Sequence, residues 1–480
     1  MPKAPHFYLW IHGEAHPGSD SFEVHNPYND ACIATVSMAG RKEVDQAVQS
    51  AHKAARDIAR MSRHERGSLL RSIAEALGEA RAEMIDTLIV EGGKPRSFAE
   101  QEFERSLSVF LWAAEEARRF CGEQIPMDGM QRGEGYEGYT RREPIGPILG
   151  ICPFNFPLNL VAHKLAPALA AGNPIIIKPA SDTPISALLL ARIVSEVGAP
   201  AGSLNVLPMP HREVARLLEG KDIRMLSFTG SPDVGWALKK QAVQQRVTLE
   251  LGGNSGTIVD ASADTDFAAS RCVLGGFAQA GQSCIAVQRI YVQQGIYKGF
   301  LGKLIHETGK LGVGDPRGDD VVVGPMINKQ AADRVMAWIR DAEKQGAKLA
   351  CGGKRRRLGA GNVVEPTILT DVSEEMDVCR REVFGPVITV TPFEEIKSAV
   401  SWINHSEYGL QAAIFSNDMR HTQYAVDQLR VGGVVVNDFP TYRIDHMPYG
   451  GVKGSGLGRE GIRSAMLEMT EEKMVVIRKG

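Results

Sequence analysis

The chain has 480 residues, which at about 150 per domain means roughly three folding units, or two if they are large α/β domains. Lys plus Arg number 55 and Asp plus Glu 57, a net charge of −2, so a binder of nucleic acid or anionic membrane built on cationic excess is excluded. Hydrophobic residues at 43% and charged residues at 23% fit a globular chain, and no apolar run reaches the ~18 residues of a membrane span.

In chain order, the apolar periodicity predicts two long helices over 42–59 and 63–91. Residues 119–141 are Gly-rich, alternate at Tyr136-Glu137-Gly138-Tyr139-Thr140, and read as an excursion from the main units. From about residue 144, strands alternate with helices. Strands are predicted over 145–152, 174–178, 204–207, 225–229 and 248–251, and helices over 158–171, 184–197 and 234–244. Gly172-Asn173 is a helix stop. After Gly252-Gly253 a second series begins. Its strands fall at 256–259, 289–292, 387–392, 411–415 and 433–436, and its helices at 266–278, 298–310, 329–345, 395–404 and 420–429. A last strand, 473–479, lies outside both series. This alternation implies right-handed crossovers and parallel sheets covered by helices. The expected fold is α/β, with two doubly wound, mostly parallel sheets and a small β flap.

The seven cysteines are odd in number and contain no Cys-x-x-Cys pair, so neither a disulfide framework nor a metal site is expected. The first six residues carry no apolar stretch resembling a secretory signal, and a cytoplasmic location is expected.

Four places could carry chemistry. In Gly281-Gln282-Ser283-Cys284 a thiol lies among small and turn-prone residues, where the start of a structural element would offer backbone N–H groups to a thiolate. The other six cysteines read as structural. Glu250, before Gly252-Gly253, ends an apolar strand, and half-burial there would make it a usable base. Asn155, in Pro153-Phe154-Asn155-Phe156-Pro157, is either a neutral donor to an oxyanion or a turn and cap residue. Phe228-Thr229-Gly230-Ser231 ends a strand and runs into a helix, the arrangement that sets an anion on a helix N-terminus. Gly456-Leu457-Gly458-Arg459-Glu460-Gly461 fits the dinucleotide pattern literally, but no strand leads into it and it reads as a loop. The basic run 354–357 reads as a solvated hairpin.

With Ile177-Lys178-Pro179-Ala180-Ser181, Glu382-Val383-Phe384-Gly385-Pro386, Tyr408-Gly409-Leu410 and Pro448-Tyr449-Gly450-Gly451-Val452-Lys453, these motifs resemble the aldehyde dehydrogenase superfamily over essentially the whole chain and in the family's order. The resemblance implies Cys284 as nucleophile, Glu250 as general base and Asn155 with the Cys284 N–H as oxyanion donors. It implies a cofactor set of Ile151, Phe154, Lys178 (adenosine ribose), Ser181, Gly230, Ser231 (pyrophosphate), Leu251, Glu382 (nicotinamide ribose) and Phe384. Many family members carry Glu where this chain has Ser181, so both NADP and NAD are expected to be accepted. For substrate the resemblance implies Phe156, His163, Arg443 and Tyr449, and a small polar or anionic aldehyde such as lactaldehyde or a semialdehyde. The alternatives are a CoA-acylating enzyme, which would not need Glu250, and a thioester or ester hydrolase, which would not need a cofactor site. The expected units are a dinucleotide-binding domain over 1–122 and 145–250, a catalytic domain over 251–450 and an oligomerisation flap over 123–144 and 465–480. A homodimer or homotetramer would cover the flap's open edge.

Overall fold

A computed structural model describes residues 4–479. The remaining positions, which the expected spans 1–122 and 465–480 take in, lie outside the described residues.

The first sheet has eight strands, in the order Gly456–Leu457, Arg246–Glu250, Met225–Thr229, Ile148–Ile151, Ile175–Lys178, Leu204–Val206, Leu9–Ile11 and Glu14–His16. The five from Arg246–Glu250 to Leu204–Val206 are parallel, and the edges are antiparallel. Strands such as Ile148–Ile151 and Ile175–Lys178 are buried at every residue, because helices cover both faces of a parallel sheet. The helix Asn159–Ala171 is buried throughout, and Gly172, left-handed at φ 89°, ends it where the sequence predicts. The second sheet has seven strands: Lys348–Cys351, Thr367–Thr370, Val387–Phe393, Arg289–Gln293, Gly256–Val259, Gln411–Phe415 and Gly433–Val436. All but the first pair in parallel. A third sheet sets Tyr136–Pro144 between Gln124–Ile125 and Thr470–Arg478. No helix among the described residues is long and apolar enough to cross a membrane.

Four differences from the sequence expectations matter. The stretch 63–91 is two helices, Arg63–Glu79 and Arg81–Gly92, broken at Ala80, where neither Gly nor Pro marks the bend. The 24-residue helix Arg96–Arg119 was not predicted. Its inward face carries Glu102, Ser106 and Glu116, which interrupt the apolar stripe that signals a helix. The boundary at 465 falls inside the helix Ile462–Glu468, whose Ile462, Ala465 and Met466 join the first core, so the flap strand begins at Thr470. Gly456–Leu457, expected to be loop, is an edge strand of the first sheet paired with Leu249 and Glu250.

Candidate active site

A cavity of about 540 Å³ opens where the strands ending at Ile151, Thr229 and Glu250 release their chains toward the second sheet. Crevices outside the carboxyl ends of parallel strands are where such sheets place ligands. The cavity gathers twelve of the sixteen predicted residues: Phe154, Asn155, Phe156, Gly230, Ser231, Glu250, Leu251, Cys284, Glu382, Phe384, Arg443 and Tyr449. Ile151, His163, Lys178 and Ser181 do not line it.

Cys284 lies in a turn, not at the start of an element as expected; the next strand begins at Arg289. The helix Thr265–Phe277 is capped by Ala278 and followed by three left-handed residues, Gln279, Ala280 and Gly281, at φ 52°, 56° and 67°. At Gly281 any Cβ would stand 2.3 Å from the Gly385 carbonyl, so glycine is required. Side chains lock this turn to the Asn155 loop. Gln279 Nε2 donates to the Asn155 carbonyl at 2.7 Å, and Asn155 Nδ2 donates to the Gln282 carbonyl at 2.9 Å. That leaves one Nδ2 proton of Asn155 uncommitted. Burial around the sulfur pushes the Cys284 thiol up to about 12, against the Tyr449 hydroxyl at 3.2 Å, which pulls it down.

The Asn155 loop rests on the unpredicted helix. Lys94 donates to the Asn155 carbonyl at 2.8 Å, lies 4.1 Å over the Phe156 ring, and is ion-paired with Glu102. Glu102 Oε1 accepts from the Leu158 and Asn159 amides at 3.0 and 3.1 Å, capping the helix that follows the loop.

Glu250 is 3% exposed, more buried than expected, and neither carboxylate oxygen has a hydrogen-bond partner among the described residues. Burial, and then the charge of Glu460, raise its pKa well above the usual range. Glu460 was missed in the sequence, sitting in the glycine-rich stretch read as loop. It accepts from Lys164 at 3.0 Å and from Arg443 at 3.2 Å. Burial alone would raise it, but these two cations overcome that and hold it at about 2.

Asp445 pairs with Arg105 at 2.7 Å and with His163 Nε2 at 2.9 Å. Burial opposes this, yet the His163 hydrogen bond and the Arg105 charge keep Asp445 well below the ordinary carboxylate range. His163 is thus a correction: buried at 2% and turned to Asp445, it stands behind the cavity wall and not in it. Arg105, on the unpredicted helix, lines the cavity with its side chain 31% exposed. Nothing in the sequence singled it out from other charged helix residues.

Glu382 accepts from the Gly253 amide at 3.0 Å, and burial pushes it up to about 7. Phe384, left-handed at φ 45°, sets its ring edge-on to Phe154 at 5.7 Å. Ser231 is the N-cap residue of the helix Pro232–Gln241, with its hydroxyl not engaged in capping. Ile151 is buried in the first sheet next to Lys178, whose Nζ reaches, among the described residues, only the Pro179 carbonyl at 3.5 Å. Ser181 is exposed in a separate depression beside Asp182 and Asn328.

The family model described as "Aldehyde dehydrogenase family" matches residues 11–475. The chain belongs to this family. It is 43% identical over 470 residues to the 3-sulfolactaldehyde dehydrogenase of Priestia aryabhattai, covering 98% of this chain and 97% of the relative. The crystal structure of aldehyde dehydrogenase 21 from Physcomitrella patens, in complex with the reaction product succinate, superposes with a TM-score of 0.96 at 38% identity, covering 99% of both chains. A Methanocaldococcus jannaschii glyceraldehyde-3-phosphate dehydrogenase complexed with NADP gives 0.91 at 36% identity, covering 96% of this chain and 100% of that one.

This aldehyde dehydrogenase therefore oxidises an aldehyde with NAD(P). Its own residues fit the dinucleotide. The free Ser231 hydroxyl at a helix N-terminus suits a phosphate, and Gly252 leaves room for Glu382, which a Cβ there would meet at 2.2 Å.

Proposed function

We propose that this aldehyde dehydrogenase acts on a small aldehyde carrying an anionic group, and that Cys284, Glu250 and Asn155 perform the chemistry. Arg105 carries the substrate reading: a partly exposed guanidinium in the wall of the Cys284 cavity, across from Phe156 at 5.9 Å. Asp445 engages its Nε and Nη2 edge, and the N–H donors on the Nη1 side suit a carboxylate, sulfonate or phosphate. Relatives that act on a sulfolactaldehyde and on a phosphorylated aldehyde point the same way.

Cys284, its thiol proton lost to solvent, attacks the aldehyde carbon through Sγ, and the carbonyl π pair moves onto oxygen. The charge growing on oxygen is met by the uncommitted Nδ2 proton of Asn155 and by the Cys284 N–H, which has no partner among the described residues. The bound nicotinamide supplies a hydride acceptor. Glu250, once ionised, takes a proton from the water that cleaves the thioester. Lys164 and Arg443 around Glu460 favour that ionised form. A base so placed supports hydrolysis over transfer to CoA. Lys178, at the carboxyl end of its strand, and Ser181 are proposed to hold the adenosine ribose, with NADP and NAD both used.

The strand Thr470–Arg478 leaves one edge open and exposes Met474, Val476 and Ile477, so we also propose pairing with another copy of the chain. We propose the unit built on the first sheet as the dinucleotide-binding one and the unit built on the second as the catalytic one. A cytoplasmic location is consistent with seven unpaired cysteines.

Arg105→Leu tests the substrate reading. The kcat/KM for a three- or four-carbon carboxylated aldehyde is expected to fall about 10- to 100-fold, the scale of a partly screened ion pair, with a neutral aldehyde of equal length changing less than about threefold. Equal losses on both would make Arg105 a support for Asp445 alone. Arg443→Leu, by contrast, is expected to lower both, because it strips Glu460 of a partner.

A further inference from the structure

Around Cys284 the walls are apolar: Ile285, Leu410 and Tyr449 form one buried cluster with it, and Met447 packs alongside. Such surroundings oppose a thiolate. Among the described residues a single polar group hydrogen-bonds the sulfur, the Tyr449 hydroxyl at 3.2 Å. The dependence is mutual. Tyr449 is 4% exposed, and its hydroxyl has no other side-chain partner among the described residues. A buried phenol ordinarily finds one.

Arg443 completes the arrangement. Its Cζ lies 3.7 Å from the Tyr449 ring centroid, and its Nη2 is anchored on Glu460 at 3.2 Å. A cation held on the ring face draws on the π system and makes the phenol O–H a better donor. The guanidinium is almost fully buried, its side chain 8% exposed, so water screens this effect little.

We propose that Tyr449 is a catalytic residue that donates its O–H to the Cys284 sulfur when the thiol ionises, and that Arg443 is its positioning residue. This role goes beyond lining the substrate pocket and rests on Cys284 being the nucleophile. The hydrogen bond counts twice in turnover. It favours the thiolate that attacks the aldehyde, weakens once the sulfur is acylated and a poor acceptor, and reforms as water expels the sulfur. A Phe would fill the same space and leave the sulfur without a polar partner.

The test is the pH dependence of Cys284 alkylation by iodoacetamide, with the modified site located by peptide mass and aldehyde oxidation followed on the same samples. In Tyr449→Phe the midpoint is expected to rise by about one pH unit, and alkylation at pH 8 to slow about tenfold, the scale of one charge-assisted hydrogen bond. Fluorotyrosine at 449, a stronger donor of nearly the same shape, is expected to lower the midpoint, and it keeps the proposal open to disproof if the Phe variant folds poorly. Midpoints within about 0.2 units of wild type in both variants would overturn the role of Tyr449. Loss of oxidation on alkylation, with unmoved midpoints, would sink that role alone. Oxidation that survives full alkylation of Cys284 would sink the nucleophile assignment itself.

Discussion

Cys284→Ala is expected to lower steady-state aldehyde oxidation at least about 10⁴-fold, because no other thiol lines the cavity to form the covalent adduct from which hydride departs. The substitution removes one sulfur from a part-buried turn whose geometry is set elsewhere, by three left-handed residues and the Gln279 and Asn155 hydrogen bonds. The fold and the dinucleotide affinity are therefore expected to persist. Reduced-cofactor absorbance measures the rate, and cofactor fluorescence the binding. Turnover within a hundredfold of wild type, in protein free of wild-type carry-over, would place the nucleophile on another residue.

Glu102→Ala is expected to cost about 3–5 kcal/mol of folding stability, the range for stranding a buried charge. Lys94 and Glu102 are each 1% exposed, and the carboxylate also caps the helix Asn159–Ala171 through two amides. Losing it leaves Lys94 unpaired and two amides unsatisfied, and it loosens the loop that carries Asn155. The double variant Lys94→Met with Glu102→Gln removes both charges and keeps an acceptor for the amides, so it is expected to recover most of the loss. Denaturant unfolding of the three proteins decides the matter. A loss below about 1 kcal/mol in Glu102→Ala would show that water reaches Lys94.

The sequence made the frame of the molecule legible because the alternation of strands and helices is local. Strands such as Met225–Thr229, Gly256–Val259 and Gln411–Phe415 fall where the apolar runs lie. The helix Arg96–Arg119 escaped because its buried face holds charged groups, Glu102, which Lys94 neutralises from outside the helix, and Glu116, which Arg463 and Arg119 neutralise. The same blindness hid Arg105 and Glu460, whose partners Asp445, Lys164 and Arg443 are 340, 296 and 17 residues away in sequence. His163 was misplaced for the converse reason: a lone imidazole in an apolar helix gives no sign that Asp445 will claim it. Cys284, Glu250 and Asn155, which the fold brings to one cavity, stand out in the sequence since each sits in a local motif of glycines or prolines that shapes a turn.

In the proposed cycle the acyl group rests on Cys284 and leaves by attack of water that Glu250 deprotonates. The most direct measurement is a rapid acid quench of Glu250→Gln mixed with aldehyde and cofactor, followed by mass spectrometry of the whole protein and of the peptide carrying Cys284. With deacylation slowed by roughly 100-fold, the scale of losing a general base, the protein is expected to gain the mass of one acyl group on Cys284, together with one equivalent of reduced cofactor per site. Acyl mass on any other residue, or turnover at the wild-type rate with no adduct, would contradict the account.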